Sequence, residues 1–106
     1  MKIILCGACG RMGKNVAELA SDRGVNIVAG VDVSACPAAF PVYPNISEIK
    51  ESADAVVDFS SPSALESVLS YCEEKCIPVV LATTGYSEND LARIRSASKN
   101  IAIFKT

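Results

Sequence analysis

The 106-residue sequence predicts one α/β domain, a doubly wound parallel sheet of about six strands with helices on both faces. Short β-rich runs alternate along the chain with segments of helical periodicity, which is the pattern of βα units. The run Pro78 to Thr83 (PVVLAT) is nearly all apolar, as expected for a strand covered by helices on both sides. Apolar residues make up 50% of the chain and charged residues 21%, so a folded core is expected rather than disorder.

The amino-terminal third contains the first βαβ unit. Lys2 to Cys6 (KIILC) is predicted to be a buried strand and Arg11 to Arg23 a helix that ends at Gly24. Asn26 to Asp32 (NIVAGVD) is the second strand. The apolar positions predicted to share one helix face are Met12, Val16, Leu19 and Ala20.

The middle of the chain is less regular. Val33 to Asn45 contains three prolines and is predicted to be mostly loop, with a very short edge strand near Val42. Ile46 to Ser52 can form a short helix, and Ala55 to Phe59 (AVVDF) is the next strand.

Two helices and two strands complete the predicted sheet. Ser61 followed by Pro62 resembles a helix N-cap with proline at the first helical position, and Pro78 to Thr83 follows that helix as a strand. Ser87 to Asp90 caps the next helix, and Ile101 to Phe104 begins the last strand. The predicted inward positions of these helices are Leu65, Val68, Leu69, Cys72, Cys76, Leu91, Ile94 and Ala97.

Charge and hydropathy argue against nucleic acid and membranes as partners. The net charge is −2, and six aromatic residues are scattered along the chain, so neither a positive field nor a base-stacking platform is expected. The longest apolar runs are far shorter than the roughly 20 residues that span a bilayer. Gly7 and Gly10 interrupt the first apolar run, so it is not a signal peptide, and a cytosolic location is expected.

The five cysteines form no CxxC pair, and the chain has no histidine. The sequence therefore predicts neither a disulfide framework nor a metal site. Cys72 and Cys76 are one helical turn apart and are interpreted as small apolar residues on a buried helix face. Without histidine, the commonest general acid and base near neutral pH is absent.

A glycine-rich loop, Gly7 to Gly13 (GACGRMG), joins the first strand to the first helix. Its spacing is GxxGxxG rather than the usual dinucleotide fingerprint GxGxxG. Gly7 would permit a sharp turn, Gly10 the close approach of a pyrophosphate, and Gly13 tight packing of the helix on the sheet. The anion would lie at the positive end of the helix, which Arg11 and Lys14 flank.

Asp32 supplies the acidic partner that this fingerprint requires. It closes the second strand at about the expected distance from the glycine loop and would accept hydrogen bonds from the adenosine ribose hydroxyls. The alternative is that the loop holds an ordinary turn glycine and a packing glycine, and that Asp32 is a surface residue.

Two more loops follow predicted strands, Phe59-Ser60-Ser61-Pro62 and Ala82-Thr83-Thr84-Gly85. In the strand order 3-2-1-4-5-6 they adjoin the glycine loop and continue one crevice, which would place a nicotinamide near Ser60 and Thr84. The alternative is helix capping by Ser61 and an ordinary turn at Gly85.

Three motifs, GACGRMG, VDFSSP and LATTGYSENDLARI, resemble the amino-terminal domain of the dihydrodipicolinate reductase family. The resemblance covers almost the whole chain, with the motifs in the right order. It implies that NADH or NADPH is the cofactor and that the family's substrate is a cyclic dicarboxylate. The residues it implies for cofactor binding are Gly7, Ala8, Cys9, Gly10, Arg11 and Met12 at the pyrophosphate, Asp32 at the ribose, and Phe59, Ser60, Ala82, Thr83 and Thr84 at the nicotinamide. The family often has glycine where Ala82 stands.

The resemblance further implies an oxidoreductase of lysine and diaminopimelate biosynthesis that reduces a cyclic dihydrodipicolinate precursor to tetrahydrodipicolinate. Family members continue into a second domain that binds substrate, carries a histidine and lysine pair and forms a tetramer. Nothing in this chain matches that domain, so we expect an isolated cofactor domain or a truncated chain without catalytic residues of its own. The alternative is a stand-alone, non-catalytic NAD(H)-binding or redox-sensing module. A response-regulator receiver would need acidic residues where Cys6 and Gly7 stand.

Overall fold

The computed structural model describes residues 1–34 and 36–105, and these form one parallel sheet with three α-helices. The strands are β1 (Lys2–Cys6), β2 (Asn26–Val31), β3 (Val42–Tyr43), β4 (Ala55–Asp58), β5 (Val79–Leu81) and β6 (Ile103–Lys105). The helices are α1 (Arg11–Asp22), α2 (Leu65–Lys75) and α3 (Glu88–Ala97), and 3₁₀ turns cover Ile46–Glu48 and Pro62–Ala64.

The strand order is β3-β2-β1-β4-β5-β6, and every neighbouring pair is parallel. This order confirms the predicted doubly wound fold. From β1 the chain first adds β2 and β3 on one side, and it then returns to add β4, β5 and β6 on the other side of β1. The loops after β1, β2 and β4 therefore lie beside one another at one edge of the sheet.

The two faces of the sheet pack against different helices. On one face Ile4, Cys6 and Val56 pack with α2 and α3 in the main hydrophobic cluster. Ile3 and Leu5 alternate with these residues along β1 and are buried on the opposite face, which α1 covers. Within the described residues, no helix is long and apolar enough to cross a membrane.

The predicted inner face of α1 is wrong at Met12 and Leu19, half-buried at Val16 and confirmed at Ala20. Met12 and Leu19 are 57% and 54% exposed, whereas Gly13 and Ala20 are buried against the sheet. Gly13 packs so closely on the preceding loop that it fixes the rotation of the helix. The inner face of a helix is predicted from apolar side chains, and glycine has none. The prediction therefore placed Met12 and Leu19 on the inner face instead of Gly13.

Several predicted elements are shorter in the structure. The helix expected over Ile46 to Ser52 is one 3₁₀ turn, which the Asn45 side chain caps by accepting from Ser47 N–H at 3.0 Å. Ser61 makes no capping bond, and the chain passes through a 3₁₀ turn before α2 begins. In contrast, α3 begins with the predicted cap, a reciprocal capping box between Ser87 and Asp90.

Cys76 was predicted to be buried, and it is exposed. It follows the last residue of α2 in the left-handed conformation, with φ of 57°, where the chain turns towards β5. Cys72, one turn earlier, is fully buried as predicted.

A disulfide joins Cys9 to Cys36, with 5.8 Å between their Cα atoms. The prediction of no disulfide is therefore wrong for this pair. The two cysteines are 27 residues apart and match no short motif from which a bridge could be predicted. They meet because the loops after β1 and β2 lie at the same edge of the sheet. The neighbouring Ala35 lies outside the described residues.

Candidate functional site

The glycine loop begins with a turn that only glycine accommodates easily. Gly7 has φ of +78°, and a Cβ there would lie 2.8 Å from the carbonyl carbon and oxygen of Phe59. Its N–H donates to the Val31 carbonyl at 2.8 Å. Gly7 therefore lets β1 end between the ends of β2 and β4.

Gly13 brings α1 against this loop, and Gly10 leaves space above it. A Cβ on Gly13 would lie 2.2 Å from the Gly7 carbonyl oxygen, a distance no real side chain tolerates. A Cβ on Gly10 would meet only the Gly7 oxygen, at 3.5 Å, and its φ of −76° suits any residue. The backbone at Gly10 is thus open to a ligand rather than filled by the protein.

The amino-terminal end of α1 has no side-chain cap. Its N-cap residue is Gly10, which forms no capping hydrogen bond, and its first turn contains no acidic residue. The backbone N–H groups of Arg11, Met12 and Gly13 have no intrahelical acceptor at this position. By contrast, Ser87 and Asp90 cap the start of α3, and α2 is preceded by a 3₁₀ turn. The uncapped end of α1 can therefore receive an anion.

Asp32 lies beside the glycine loop, immediately after β2. Its Oδ2 accepts from Cys9 N–H at 2.9 Å, and its Oδ1 accepts from Ser34 N–H at 3.0 Å. These bonds fix the orientation of the carboxylate. Two carboxylate oxygens can accept about four hydrogen bonds, so Asp32 can still accept from ligand hydroxyls.

A cleft of about 340 Å³ runs from the glycine loop past Asp32 towards the start of α2. It brings together five of the predicted site residues: Gly7, Gly10, Asp32, Phe59 and Ser60. Ser61, from the loop that was predicted to continue the crevice, also lines the cleft, and the lining residues that the sequence did not indicate include Asn45, Ile46, Ser63 and Ser67. The serines continue the loop after β4 that the sequence analysis proposed as part of the crevice, but that proposal stopped at Pro62 and did not extend to Ser63 and Ser67.

The other predicted site residues lie outside this cleft lining. Arg11 and Met12 are exposed on the first turn of α1, and Ala8 is buried. Ala82 and Thr84 follow β5; Thr83 between them is buried, and its hydroxyl donates to the Asp58 carbonyl at 3.4 Å. The loop after β5 thus adjoins the loop after β4 through Asp58 without reaching the cleft.

Asp58 is a functional candidate to which the sequence analysis assigned no role. It is fully buried, and its Oδ1 accepts from the N–H of Ser60 at 2.8 Å and from the Ser60 hydroxyl. Among the described residues its Oδ2 has no hydrogen-bond partner. The sequence feature that could have identified Asp58 is a carboxylate at the end of a buried strand, within the motif VDFSSP. Asp58 fixes the backbone of Ser60 at the wall of the cleft.

Cys6 also lines the cleft, but it is not a nucleophile at neutral pH. Burial, and secondly the nearby Asp58 carboxylate, raise the pKa of the Cys6 thiol well above its usual value. The same two causes raise the pKa of Cys72 to about 12. Both thiols therefore stay protonated, and the site offers binding groups rather than a covalent catalyst.

Comparison with known proteins gives a consistent family. A family model described as "Dihydrodipicolinate reductase, N-terminus" matches residues 1–106. The 4-hydroxy-tetrahydrodipicolinate reductase of Clostridium tetani is 46% identical over 108 residues, covering all of this chain and 42% of that protein. The enzyme of the same name from Caldanaerobacter subterraneus is 44% identical over 107 residues, covering all of this chain and 43% of that protein. The chain thus spans less than half the length of these relatives.

Solved structures show the same fold. Dihydrodipicolinate reductase from Paenisporosarcina sp. TG-14, described as dipicolinate-bound, has a TM-score of 0.75 at 21% identity, covering 92% of this chain and 43% of that one. The myo-inositol 2-dehydrogenase of Lactobacillus plantarum has a TM-score of 0.83 at 18% identity, covering all of this chain and 36% of that one. Identities this low support the fold alone.

Proposed function

The chain belongs to the dihydrodipicolinate reductase family, as its amino-terminal domain, and from this premise we propose that it binds the reduced nicotinamide dinucleotide, NADH or NADPH. The observation that carries the proposal is the uncapped start of α1 above a glycine cradle that is open at Gly10. Free backbone N–H groups and the positive end of a helix suit a pyrophosphate.

We assign the ends of the dinucleotide from the neighbouring loops. Gly7 to Met12 would bind the pyrophosphate, and Asp32 would accept from the adenosine ribose hydroxyls. Phe59 and Ser60, with Ala82 to Thr84 on the next strand end, would hold the nicotinamide end. When bound, the dinucleotide would supply a hydride. The chain's own residues would bind and orient it.

The remaining parts of the proposal concern the longer family members. We infer that a full-length relative of this chain reduces the cyclic dihydrodipicolinate precursor in lysine and diaminopimelate biosynthesis, in the cytoplasm and as a homotetramer. The dipicolinate described in the Paenisporosarcina structure supports a cyclic dicarboxylate as the substrate class. The substrate site would lie in the part of the relatives that this chain does not cover.

Calorimetric titration of the chain with NADH and with NADPH tests the proposed function. We expect saturable binding at one site, and competition by ADP-ribose, which shares the pyrophosphate and both riboses. No binding at dinucleotide concentrations up to about 1 mM, where a free energy of about −4 kcal/mol would still be detected, would refute it.

NADH is expected to bind at least as tightly as NADPH. The Asp32 carboxylate would repel a 2′-phosphate, and the next two residues, Val33 and Ser34, are exposed and carry no positive charge. In Asp32→Asn, which removes the charge but keeps one acceptor, the NADPH affinity should improve relative to NADH. An NADPH dissociation constant ten or more times smaller than that for NADH in the wild-type chain, about 1.4 kcal/mol, would show that Asp32 does not select the cofactor in this way.

The 106 residues alone are expected to give no turnover with NADH and the cyclic imine substrate. Hydride transfer to an imine leaves negative charge. A general acid that neutralises this charge by donating a proton typically accelerates the reaction by about 10² to 10⁴-fold. The chain has no histidine, and Lys105 is its only lysine near the end of β6. A stopped-flow assay that follows NADH absorbance measures this, with a full-length relative as the positive control. Substrate-dependent NADH oxidation that Thr84→Val abolishes would mean that the site is complete within this chain.

A further inference from the structure

The Cys9–Cys36 bridge connects two loops of the candidate site. Cys9 lies inside the glycine loop, and Cys36 lies in the segment between β2 and β3. We propose that these two cysteines form a reversible thiol–disulfide exchange site, and that the disulfide form binds the dinucleotide more tightly than the dithiol form. The inference rests on the proposed function, because the dinucleotide is the ligand whose affinity would change.

The bridge and Asp32 hold the same two loops together. Cys9 donates its backbone N–H to Asp32 at 2.9 Å, and Ser34 donates its own to the other oxygen of that carboxylate at 3.0 Å. Among the described residues between Val33 and Ala39, Ser34 is held by this hydrogen bond and Cys36 by the disulfide. Val33 is 92% exposed, and most described residues around it are exposed as well. The disulfide is therefore a main tie between this segment and the glycine loop.

The position of the pair makes exchange accessible to a reagent in solution. Cys9 and Cys36 are both partly exposed, and exposed disulfides are the labile ones. A thiolate released from Cys9 would lie near the positive end of α1, which begins two residues later. Cys6 and Cys72 are buried and remain thiols, and Cys76 is at the far end of α2 from this loop. Among the described cysteines, the disulfide within the chain would therefore form only between Cys9 and Cys36.

The exchange requires a small disulfide such as glutathione disulfide as the oxidant. One cysteine thiolate attacks a sulfur of that disulfide, forming a mixed disulfide and releasing one glutathione thiolate. The second cysteine then attacks the protein sulfur, forming the Cys9–Cys36 bond and releasing the second glutathione. Two protein thiols and one glutathione disulfide thus become one protein disulfide and two glutathiones. A dithiol reductant reverses both steps.

The expected effect on binding follows from the order that the bridge imposes. In the disulfide form the segment after Asp32 is already tied to the loop that would receive the pyrophosphate. In the dithiol form that segment must be ordered when the dinucleotide binds, which reduces the affinity. We expect the dissociation constant for NADH to rise about fivefold or more on reduction.

The test measures NADH affinity by calorimetry for the same preparation after glutathione disulfide and after dithiothreitol, with the redox state read by alkylation and peptide mass spectrometry. Cys36→Ser should match the reduced wild type in affinity and lose its response to redox treatment. Cys36→Ala repeats this test with a smaller side chain in case the serine variant folds poorly. Cys76→Ser, which changes a free exposed cysteine, is the matched control and should keep the full response.

Each outcome decides the inference. Equal affinities in the two states, even with a lower melting temperature after reduction, would show a purely structural bridge and overturn the inference while leaving the proposed function intact. Cysteines that never pair, or a bridge that resists dithiothreitol in the native chain, would also overturn it. Absence of NADH binding in both states would refute the proposed function and this inference together.

Discussion

Replacing Gly10 with glutamate is expected to abolish NADH binding while the chain still folds. The Gly10 backbone conformation suits any residue, and a Cβ there meets only the Gly7 oxygen, at an ordinary contact distance of 3.5 Å. The glutamate side chain would extend into the space above the start of α1 and place a negative charge where the pyrophosphate is proposed to bind.

We expect the affinity to fall at least about a hundredfold, equivalent to about 2.7 kcal/mol. Calorimetry measures the loss, and circular dichroism with urea unfolding verifies the fold. Gly10→Gln is the matched control, because it adds the same bulk without the charge and should retain more affinity than Gly10→Glu. Affinity like that of the wild type in Gly10→Glu would place the phosphate site elsewhere.

Replacing Gly13 with alanine is expected to cause the largest loss of stability among alanine replacements of the glycines in the described residues. The new Cβ would lie 2.2 Å from the Gly7 oxygen and 3.0 Å from the Ala8 backbone, so α1 must move away from the loop. Overpacking against backbone atoms typically costs about 1–3 kcal/mol, occasionally more. Alanine favours a helix over glycine by about 1 kcal/mol, so the intrinsic propensity alone predicts the opposite sign.

Urea unfolding followed by far-ultraviolet circular dichroism distinguishes these two expectations. Gly24→Ala is the comparison variant: its φ of +73° disfavours alanine, but no atom lies within 4 Å of the added Cβ, so its cost should be only about 1 kcal/mol. A Gly13→Ala chain as stable as the wild type would show that the contact between α1 and the glycine loop is looser than we describe.

The sheet and most of its loops could be predicted because they depend on local patterns. Alternation of short apolar runs with helical periodicity defines the order of the elements, and the rules of parallel sheets then define the strand order. The position of Asp32 beside the glycine loop follows from the same order. These features are encoded within segments of a few residues each.

The features that the sequence did not predict depend on contacts between distant segments. Gly13 faces the sheet because only a residue without a side chain fits against the glycine loop, and this determines the rotation of α1. A search for apolar side chains at helical spacing does not identify such a position. Cys9 and Cys36 meet only because two loops end at one sheet edge. The hydrogen bonds that Ser60 donates to Asp58 form because Asp58 is fully buried at the end of β4. The periodicity of the sequence does not predict how deeply that residue is buried.

Residue-resolved NMR during an NADH titration tests the central claim most directly, because the claim is about which backbone groups receive the dinucleotide. We predict that the amide resonances of Gly10, Arg11 and Met12 shift progressively and saturate together with that of Ser34, whose N–H donates to Asp32. Unchanged resonances at the start of α1, with shifts confined to other parts of the chain, would contradict the account.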